Sequence, residues 1–186
     1  MVGLIENIEQ VLGNKINSAG EQIYLIGELE GELSGSEYLA QFEGLEAGAL
    51  PVLDLPALKK RLDFILELNE KGLLQAAHDV TEGGLAVALA EMTADIGAEI
   101  SIDTERELPA LFGERLGRII ITVLEENSIE LEKEAEQKGI PWHRLGESKG
   151  ENLKIILNNR ERINIPLSTY RPIFEGSIGK IMDSGN

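Results

Sequence analysis

Two apolar segments separated by a short polar turn constrain the fold of this chain more than any other feature. Residues 73–79 form an apolar run, LLQAAHD, that ends in Asp79. Residues 80–83 read VTEG, and a second run then extends from Gly84 to Ala94. The first run has the length of a strand, and the second is apolar on nearly all sides of a helix. The pattern predicts a buried strand, a tight turn and a helix that is buried on most faces.

The turn places a hydroxyl, an acid and two glycines where the helix is predicted to begin. The first N–H groups of a helix lack intrahelical acceptors and carry the positive end of the dipole, so this position favours an anion such as phosphate. Thr81 is predicted to be the N-cap residue. Gly83 and Gly84 have no Cβ, so a bulky anion could approach the backbone there. Thr81, Glu82, Gly83 and Gly84 are therefore candidates for binding nucleotide phosphates.

Asp79 lies at the mouth of this turn. A carboxylate repels a phosphate unless a cation lies between them, and Mg²⁺ binds oxygen ligands of both kinds. Asp79 is therefore a candidate magnesium ligand, and Glu82 either points away or shares the metal. A structural interpretation stays open, in which these residues cap the helix and the glycines allow close packing. His78 is then interpreted as a buried, hydrogen-bonded histidine.

Charge and composition exclude several classes of function. The formal net charge of −16 argues against binding to nucleic acid or to an anionic membrane surface. The chain has no cysteine, which excludes thiol catalysis, thiolate metal sites and disulfides. No run reaches the roughly 18 apolar residues that a membrane helix needs. No secretory signal is visible, so we expect a cytoplasmic protein.

The remaining segments predict a mixed sheet. Residues 117–126, GRIIITVLEE, form a continuous β-branched run that is typical of a central strand covered on both faces. The segments 141–148 and 153–159 are predicted to pair as a hairpin. Strands and helices mix without strict alternation. This favours an α/β (α+β) fold, a layered mixed β-sheet with packed helices, over a fully parallel arrangement.

Two amphipathic helices are predicted outside the apolar turn region. The first is predicted within residues 55–72, LPALKKRLDFILELNEKG, with Gly72 as its C-terminal stop. Its apolar stripe is formed by Leu55, Leu58, Leu62, Ile65 and Leu66. The second helix is predicted to be capped by Ser168. Its inner side is predicted to carry Tyr170, Ile173, Phe174, Ile178 and Ile181.

Two further segments carry predictions about organisation and ligand contact. The opening residues 1–8, MVGLIENI, read as a strand that needs partners, so we expect Met1 to be an internal cut point of a longer protein. Glu114 and Arg115 lie between two glycines just before the central strand. This segment is interpreted either as a strand-entry bulge with an ion pair or as a ligand-facing loop.

The sequence AAHDVTEGGLAVALAEM, residues 76–92, resembles the His-Asp-x-Ser/Thr-Asp/Glu-Gly-Gly-Leu motif of the formylglycinamide ribonucleotide amidotransferase (phosphoribosylformylglycinamidine synthase) family. Further segments resemble successive pieces of the C-terminal region of that family. They are MVGLIENI, IYLIGE, GSEYL, KRLDFILELNEKGLLQAAHD, LFGERLGRIIITV and YRPIFEGSIGKIM. The resemblance covers nearly the whole chain.

This resemblance implies a domain organisation and a reaction. Residues 1–17 would be the last strand and linker of a preceding aminoimidazole ribonucleotide (AIR) synthase N-terminal-like domain, and residues 18–186 an AIR synthase C-terminal-like domain. The implied reaction is ATP-dependent amidation of formylglycinamide ribonucleotide, with Mg²⁺ and ATP/ADP as cofactors. The implied partners are the rest of the synthetase subunit, a glutaminase subunit and a small third subunit.

The resemblance also implies roles for individual residues. In large forms of the family, the aspartate of the motif is a magnesium ligand and the Ser two positions later contacts a nucleotide, and these positions match Asp79 and Thr81. Glu114 and Arg115 stand where another domain of the family has a substrate-contacting Glu-Ser-Gln loop, and this departure implies a nucleotide or structural role. The catalytic histidine of the family lies outside this chain, so the fragment is expected to be inactive. The alternatives are another ATP-dependent member of the superfamily and a non-catalytic interaction domain.

Overall fold

Seven strands form one mixed sheet in the residues that the computed structural model describes, which are 4–5, 7–49, 52–93 and 95–183. The strands are β1 (Gln22–Ile26), β2 (Leu74–Asp79), β3 (Ala98–Ile102), β4 (Ile119–Val123), β5 (Trp142–Ser148), β6 (Asn152–Leu157) and β7 (Arg160–Pro166). Their order across the sheet is β2-β4-β1-β5-β3-β6-β7. Strands β3 and β6 pair in parallel, and the other neighbours pair antiparallel. The predicted mixed α/β fold is confirmed.

Helices cover both faces of the sheet. In the described ranges they are α1 (Glu37–Glu43), α2 (Leu55–Glu70), α3 (Gly84–Met92), α4 (Glu107–Phe112), α5 (Ser128–Gln137) and α6 (Leu167–Asp183). Side chains of α3 and α4 belong to one apolar core, and side chains of α2 and α5 belong to the other. The sheet is therefore the middle of three layers.

Strand β1 shows how one strand serves both cores. Ile23 and Leu25 belong to the core under α3, whereas Tyr24 and Ile26 belong to the core under α2 and α5. Alternate side chains of a strand point to opposite faces, so a strand covered on both faces is apolar throughout. All five residues of β4 are likewise buried, which confirms the central strand predicted from its continuous apolar run.

The buried face of α2 differs from the predicted leucine stripe. Its buried residues are Arg61, Phe64 and Leu68, which follow the i, i+3, i+7 spacing of a helix face. Three leucines of the predicted stripe are instead exposed, namely Leu55, Leu62 and Leu66. The prediction is wrong for these leucines, because a buried arginine replaces one apolar position of the true face, whereas Ile65 of the predicted stripe does pack against the core under α2 and α5.

The hairpin predicted between 141–148 and 153–159 is also wrong. Strand β3 lies between β5 and β6 and pairs with both of them. The hairpin of this region joins β6 to β7 through Asn158 and Asn159, whose φ angles are 50° and 61°. Positive φ at two consecutive turn residues matches the twist of the flanking strands, and asparagine tolerates it well. Strand β7 was not predicted.

The last helix begins at Leu167, so Ser168 lies in its first turn and is not the predicted cap. Tyr170 packs against the core under α3, as predicted. Ile173 and Phe174 are 63% and 54% exposed, so the predicted inner face is wrong at these positions. The side chains predicted inward at positions 178 and 181 lie outside the described part of the structure.

The strand predicted over residues 1–8 lies partly outside the described residues. Ile8–Gln10 form a 3₁₀-helix, and Gly13 makes an isolated parallel bridge to Ala76 of β2. The division of the chain at residue 17 therefore stays a prediction.

Tyr24 makes the stability of this fold sensitive to alkaline pH. The side chain is fully buried, and its hydroxyl donates to Oε1 of Glu132 at 2.7 Å. Burial raises the pKa of Tyr24 from 10.0 to about 12. As the pH rises from about 10 to 12, the unfolded state therefore loses this proton before the folded state does, and the free energy of unfolding falls. Urea denaturation across this range should show a shallower fall for Tyr24→Phe than for the wild type. If the free energies of unfolding of the wild type and of Tyr24→Phe fell in parallel between pH 10 and 12, the raised pKa of Tyr24 would be contradicted.

Candidate functional site

The turn between β2 and α3 places the candidate phosphate-binding residues at the edge of the sheet. Val80 is buried, and its N–H donates to the carbonyl oxygen of Arg118 at 2.8 Å. Gly83 is the N-cap residue of α3, and no side chain caps the helix from that position. Thr81 instead accepts, through its carbonyl oxygen, from the N–H of Gly84 at 3.2 Å. The predicted N-cap role of Thr81 is therefore wrong, because two consecutive glycines at positive φ delay the helix start.

Glu114 brings a carboxylate to this turn from a distant part of the chain. Its Oε1 accepts from the N–H of Gly83 at 2.9 Å and from the N–H of Glu37, the first residue of α1, at 2.8 Å. The backbone of Glu114 is held by two hydrogen bonds with Glu32, at 2.8 and 3.0 Å. One carboxylate oxygen thus joins the beginnings of two helices. A helix start favours an anion, and here the protein supplies its own.

The two glycines of the turn serve packing. A Cβ built on Gly84 would lie 2.7 Å from the carbonyl oxygen of Leu111 and 2.8 Å from Cα of Phe112. A Cβ on Gly83 would lie 2.6 Å from Cγ2 of Val87. Gly84 is itself buried against α4. The absence of a side chain at Gly84 therefore lets α3 approach α4, and the expected exposure of its backbone to an anion is wrong.

His78 and Asp79 end β2 in different environments. The Nδ1 of His78 donates to the carbonyl oxygen of Asp79 at 2.7 Å, and its Nε2 lies 3.2 Å from Oε2 of Glu91. Its side chain is largely buried, which agrees with the structural interpretation of His78. The side chain of Asp79 is 72% exposed, and its Oδ1 lies 3.8 Å from Nδ1 of His78. Asp79 is therefore open to solvent.

The residues of this turn could hold Mg²⁺ only together with a bound ligand that supplies further oxygen atoms. Within the described ranges, no three histidine or acidic side chains are grouped so as to hold a metal ion. Mg²⁺ commonly uses one or two carboxylates and completes its shell with phosphate oxygens and water. Asp79 is the exposed carboxylate that could serve in this way, and Thr81 and Glu82 are exposed beside it.

Arg118 is the residue of this region that the sequence analysis missed. It is fully buried, and its guanidinium group donates to four backbone carbonyl oxygens at 2.7 to 3.1 Å. Burial and the nearby Arg115 lower its pKa to about 10. The acceptors belong to Glu28, Leu29, Ala110 and Gly113. Arg118 therefore fixes the segment that carries Glu114. The signal for Arg118 in the sequence was its position directly before a strand that is buried on both faces.

Arg115 points to a different place from its neighbour Glu114. It lines a cleft with Arg61 and Glu28, which form an ion pair at 3.0 Å. No described residue forms an ion pair with Arg115. The structure thus brings Glu114 to the turn with Gly83 and separates Arg115 from it. The strand-entry bulge was predicted with one ion pair, but neither Glu114 nor Arg115 forms an ion pair with a described residue.

No helix in the described part of the chain has the length and apolar character needed to cross a membrane.

Comparison with known proteins identifies the family. Residues 18–158 match the family described as AIR synthase related protein, C-terminal domain. Subunit PurL of phosphoribosylformylglycinamidine synthase from Alkaliphilus metalliredigens is 35% identical over 187 residues, which cover 99% of this chain and 25% of that protein. The same subunit from Anaeromyxobacter dehalogenans is 40% identical over 168 residues, covering 83% of this chain and 22% of that protein. This chain therefore spans about a quarter of the length of these relatives.

Solved structures show the same fold. Thermotoga maritima PurL complexed with FGAR has a TM-score of 0.75 at 21% identity, covering 87% of this chain and 29% of that one. The same protein complexed with ATP has a TM-score of 0.73 at 18% identity, covering 87% and 27%. The resemblance seen in the sequence is confirmed by these relatives and by the matched domain. The chain belongs to the family of AIR synthase related proteins and corresponds to the C-terminal domain of that family.

Proposed function

We propose that this chain is the C-terminal AIR synthase-related domain of a cytoplasmic phosphoribosylformylglycinamidine synthase, preceded by the end of another domain in residues 1–17. The observation that carries this proposal is the 35% identity to a PurL subunit along 99% of the chain. In the proposed reaction, ATP activates the amide oxygen of formylglycinamide ribonucleotide, and ammonia then displaces phosphate to form the amidine. The partners would be the rest of the subunit, a glutaminase subunit and a small third subunit. Since the chain spans about a quarter of its relatives, we expect it to be inactive alone.

The nucleotide contribution of this domain is proposed for the turn after β2. Asp79 would hold Mg²⁺ together with the phosphate oxygens of ATP or ADP, and Thr81 and Glu82 would lie beside them. The exposure of Asp79 supports this proposal, because nothing described covers its carboxylate. The carboxylate of Glu114 opposes it, since like charges repel at short range and Gly83 already donates to that carboxylate.

Titration of Mg²⁺ and ADP into the chain tests this proposal. Magnesium is expected to strengthen ADP binding in the wild type, and Asp79→Asn to weaken the magnesium-dependent binding about tenfold, the loss of one charge-assisted contact. Glu114→Gln should tighten ADP binding about tenfold, because it removes a competing charge. Glu37→Gln removes a charge from an exposed side chain nearby and is the matched control. An ADP affinity that is the same in the wild type, Asp79→Asn and Glu114→Gln would contradict the proposed site.

A structural role is the second candidate for this turn. The hydrogen bonds of Glu114 to Gly83 and Glu37, together with the packing of Gly84 on α4, favour it. In that case the turn holds α1, α3 and α4 together, and no nucleotide binds there. The same titration separates the two candidates, because a structural turn gives no magnesium-dependent ADP binding in any variant.

A further inference from the structure

Three arginines lie near the C-terminal end of β1, although the net charge of the chain is −16. Arg118 is fully buried, and its described acceptors are all backbone carbonyl oxygens. Arg61 is 9% exposed and pairs with Glu28. Arg115 is half-buried and has no ion-pair partner among the described residues. Of the three, Arg115 is thus the partly exposed arginine with which no described carboxylate forms an ion pair.

Arg115 lies close enough to Arg118 to affect its pKa. Burial, and then the proximity of Arg115, lower the pKa of Arg118 to about 10. A guanidinium that lowers the pKa of its neighbour is repelling it. The carboxylate of Glu28 lies 3.0 Å from Nη2 of Arg61, and Nη1 of Arg61 donates to the carbonyl oxygen of Gly117 at 3.3 Å. The carboxylate of Glu28 is thus engaged by Arg61, and no described carboxylate forms an ion pair with Arg115.

A cleft of about 450 Å³ opens onto Arg115 and Arg61. Its volume is in the range of small-molecule binding sites. Apolar side chains form its outer walls, and Val52 and Leu116 among them are 88% and 61% exposed. Asp54 also lines the cleft, but its Oδ1 accepts from the N–H of Ala57 as the cap of α2. The cleft thus combines exposed apolar side chains with Arg115, which has no ion-pair partner among the described residues.

We propose that this cleft binds a small phosphomonoester with a compact apolar body. Arg115 would donate to the phosphate oxygens. The organic part would lie against Val52 and Leu116. A phosphate dianion is attracted to the guanidinium group of Arg115 more strongly than a monocarboxylate is, because it carries more negative charge. A single unpaired cation in an acidic chain does not suit a polyanion such as nucleic acid. This proposal does not depend on the nucleotide site near Asp79.

Phenyl phosphate is the probe that tests the cleft. We expect the 186-residue chain to bind it without magnesium, and Arg115→Gln to weaken that binding at least tenfold in calorimetric titration. Arg160→Gln is the matched control, because it removes one positive charge from an exposed side chain on the edge strand β7, which does not line the cleft. It should leave the affinity unchanged. Leu116→Asn should weaken phenyl phosphate binding but not the binding of inorganic phosphate.

Several results would overturn the proposal. These are no binding of phenyl phosphate by the wild type at millimolar concentration, equal affinities in Arg115→Gln and Arg160→Gln, and benzoate binding as tightly as phenyl phosphate. Asp79→Asn should leave phenyl phosphate binding unchanged. A loss in that variant would show one shared site and would also refute a separate cleft. If magnesium-dependent ADP binding is not observed, the proposal for the cleft still stands, because it concerns a separate site.

Discussion

Replacement of Arg118 by methionine is expected to lower the free energy of unfolding by about 3 to 5 kcal/mol. Methionine fills much of the volume but donates no hydrogen bond. Four backbone carbonyl oxygens would then lose their donor at once. An unsatisfied buried polar group costs about 1 to 3 kcal/mol, and relief of a buried charge offsets part of the sum. Urea denaturation at neutral pH measures the loss.

The matched control for Arg118 is Arg115→Met. Arg115 is half-buried and makes no ion pair with a described residue, so its replacement should change the free energy of unfolding by less than about 0.5 kcal/mol. Arg118→Lys keeps the charge but offers at most three donors, and its stability should fall between the wild type and Arg118→Met. A loss below about 1 kcal/mol for Arg118→Met would show that water or local rearrangement satisfies the four carbonyls.

Alanine at Gly84 is expected to cost about 3 to 5 kcal/mol, from backbone strain and steric overlap together. The φ angle of Gly84 is +74°, and the added Cβ would lie 2.7 Å from the backbone oxygen of Leu111. Backbone atoms of α4 cannot move aside as a flexible side chain can. Gly72→Ala is the control, because Gly72 has a φ of +70° with nothing within 4 Å of the added Cβ.

The difference between these two alanine variants isolates the contact between α3 and α4. Gly72→Ala should cost about 1 to 2 kcal/mol, the strain of a left-handed residue alone. Equal losses of stability, measured by urea denaturation, would contradict the packing role of Gly84. A Gly84→Ala variant of normal stability that had lost ADP binding would instead assign this glycine to a ligand.

Much of the candidate site could be predicted from the sequence because it is local. The strand, the turn and the helix of residues 73–92 follow from an apolar run, an acid with a hydroxyl, and paired glycines within a short segment. The burial of β4 on both faces follows from its unbroken apolar run. Such patterns report the period and polarity of neighbouring residues, and these decide the type of element and its burial.

The prediction of the α2 stripe failed for a physical reason. A leucine stripe and the true face run along the same helix, and the choice between them depends on which neighbour covers it. Phe64 and Leu68 meet Leu131 and Ala135 of α5 in one core, far away in the chain. Arg61 is buried there because Glu28 and the carbonyl oxygen of Gly117 accept its hydrogen bonds.

The sequence by itself determined the family, the mixed sheet and the segment that carries the candidate nucleotide site, since each follows from local patterns and from their order along the chain. Only the tertiary structure decided what occupies the start of α3. Glu114 reaches Gly83 across 31 positions and Glu37 across 77. The tertiary structure likewise buried Arg118 and left Arg115 free of ion pairs with described residues. These assignments depend on distances between segments that the sheet brings together, and local periodicity carries no information about such distances.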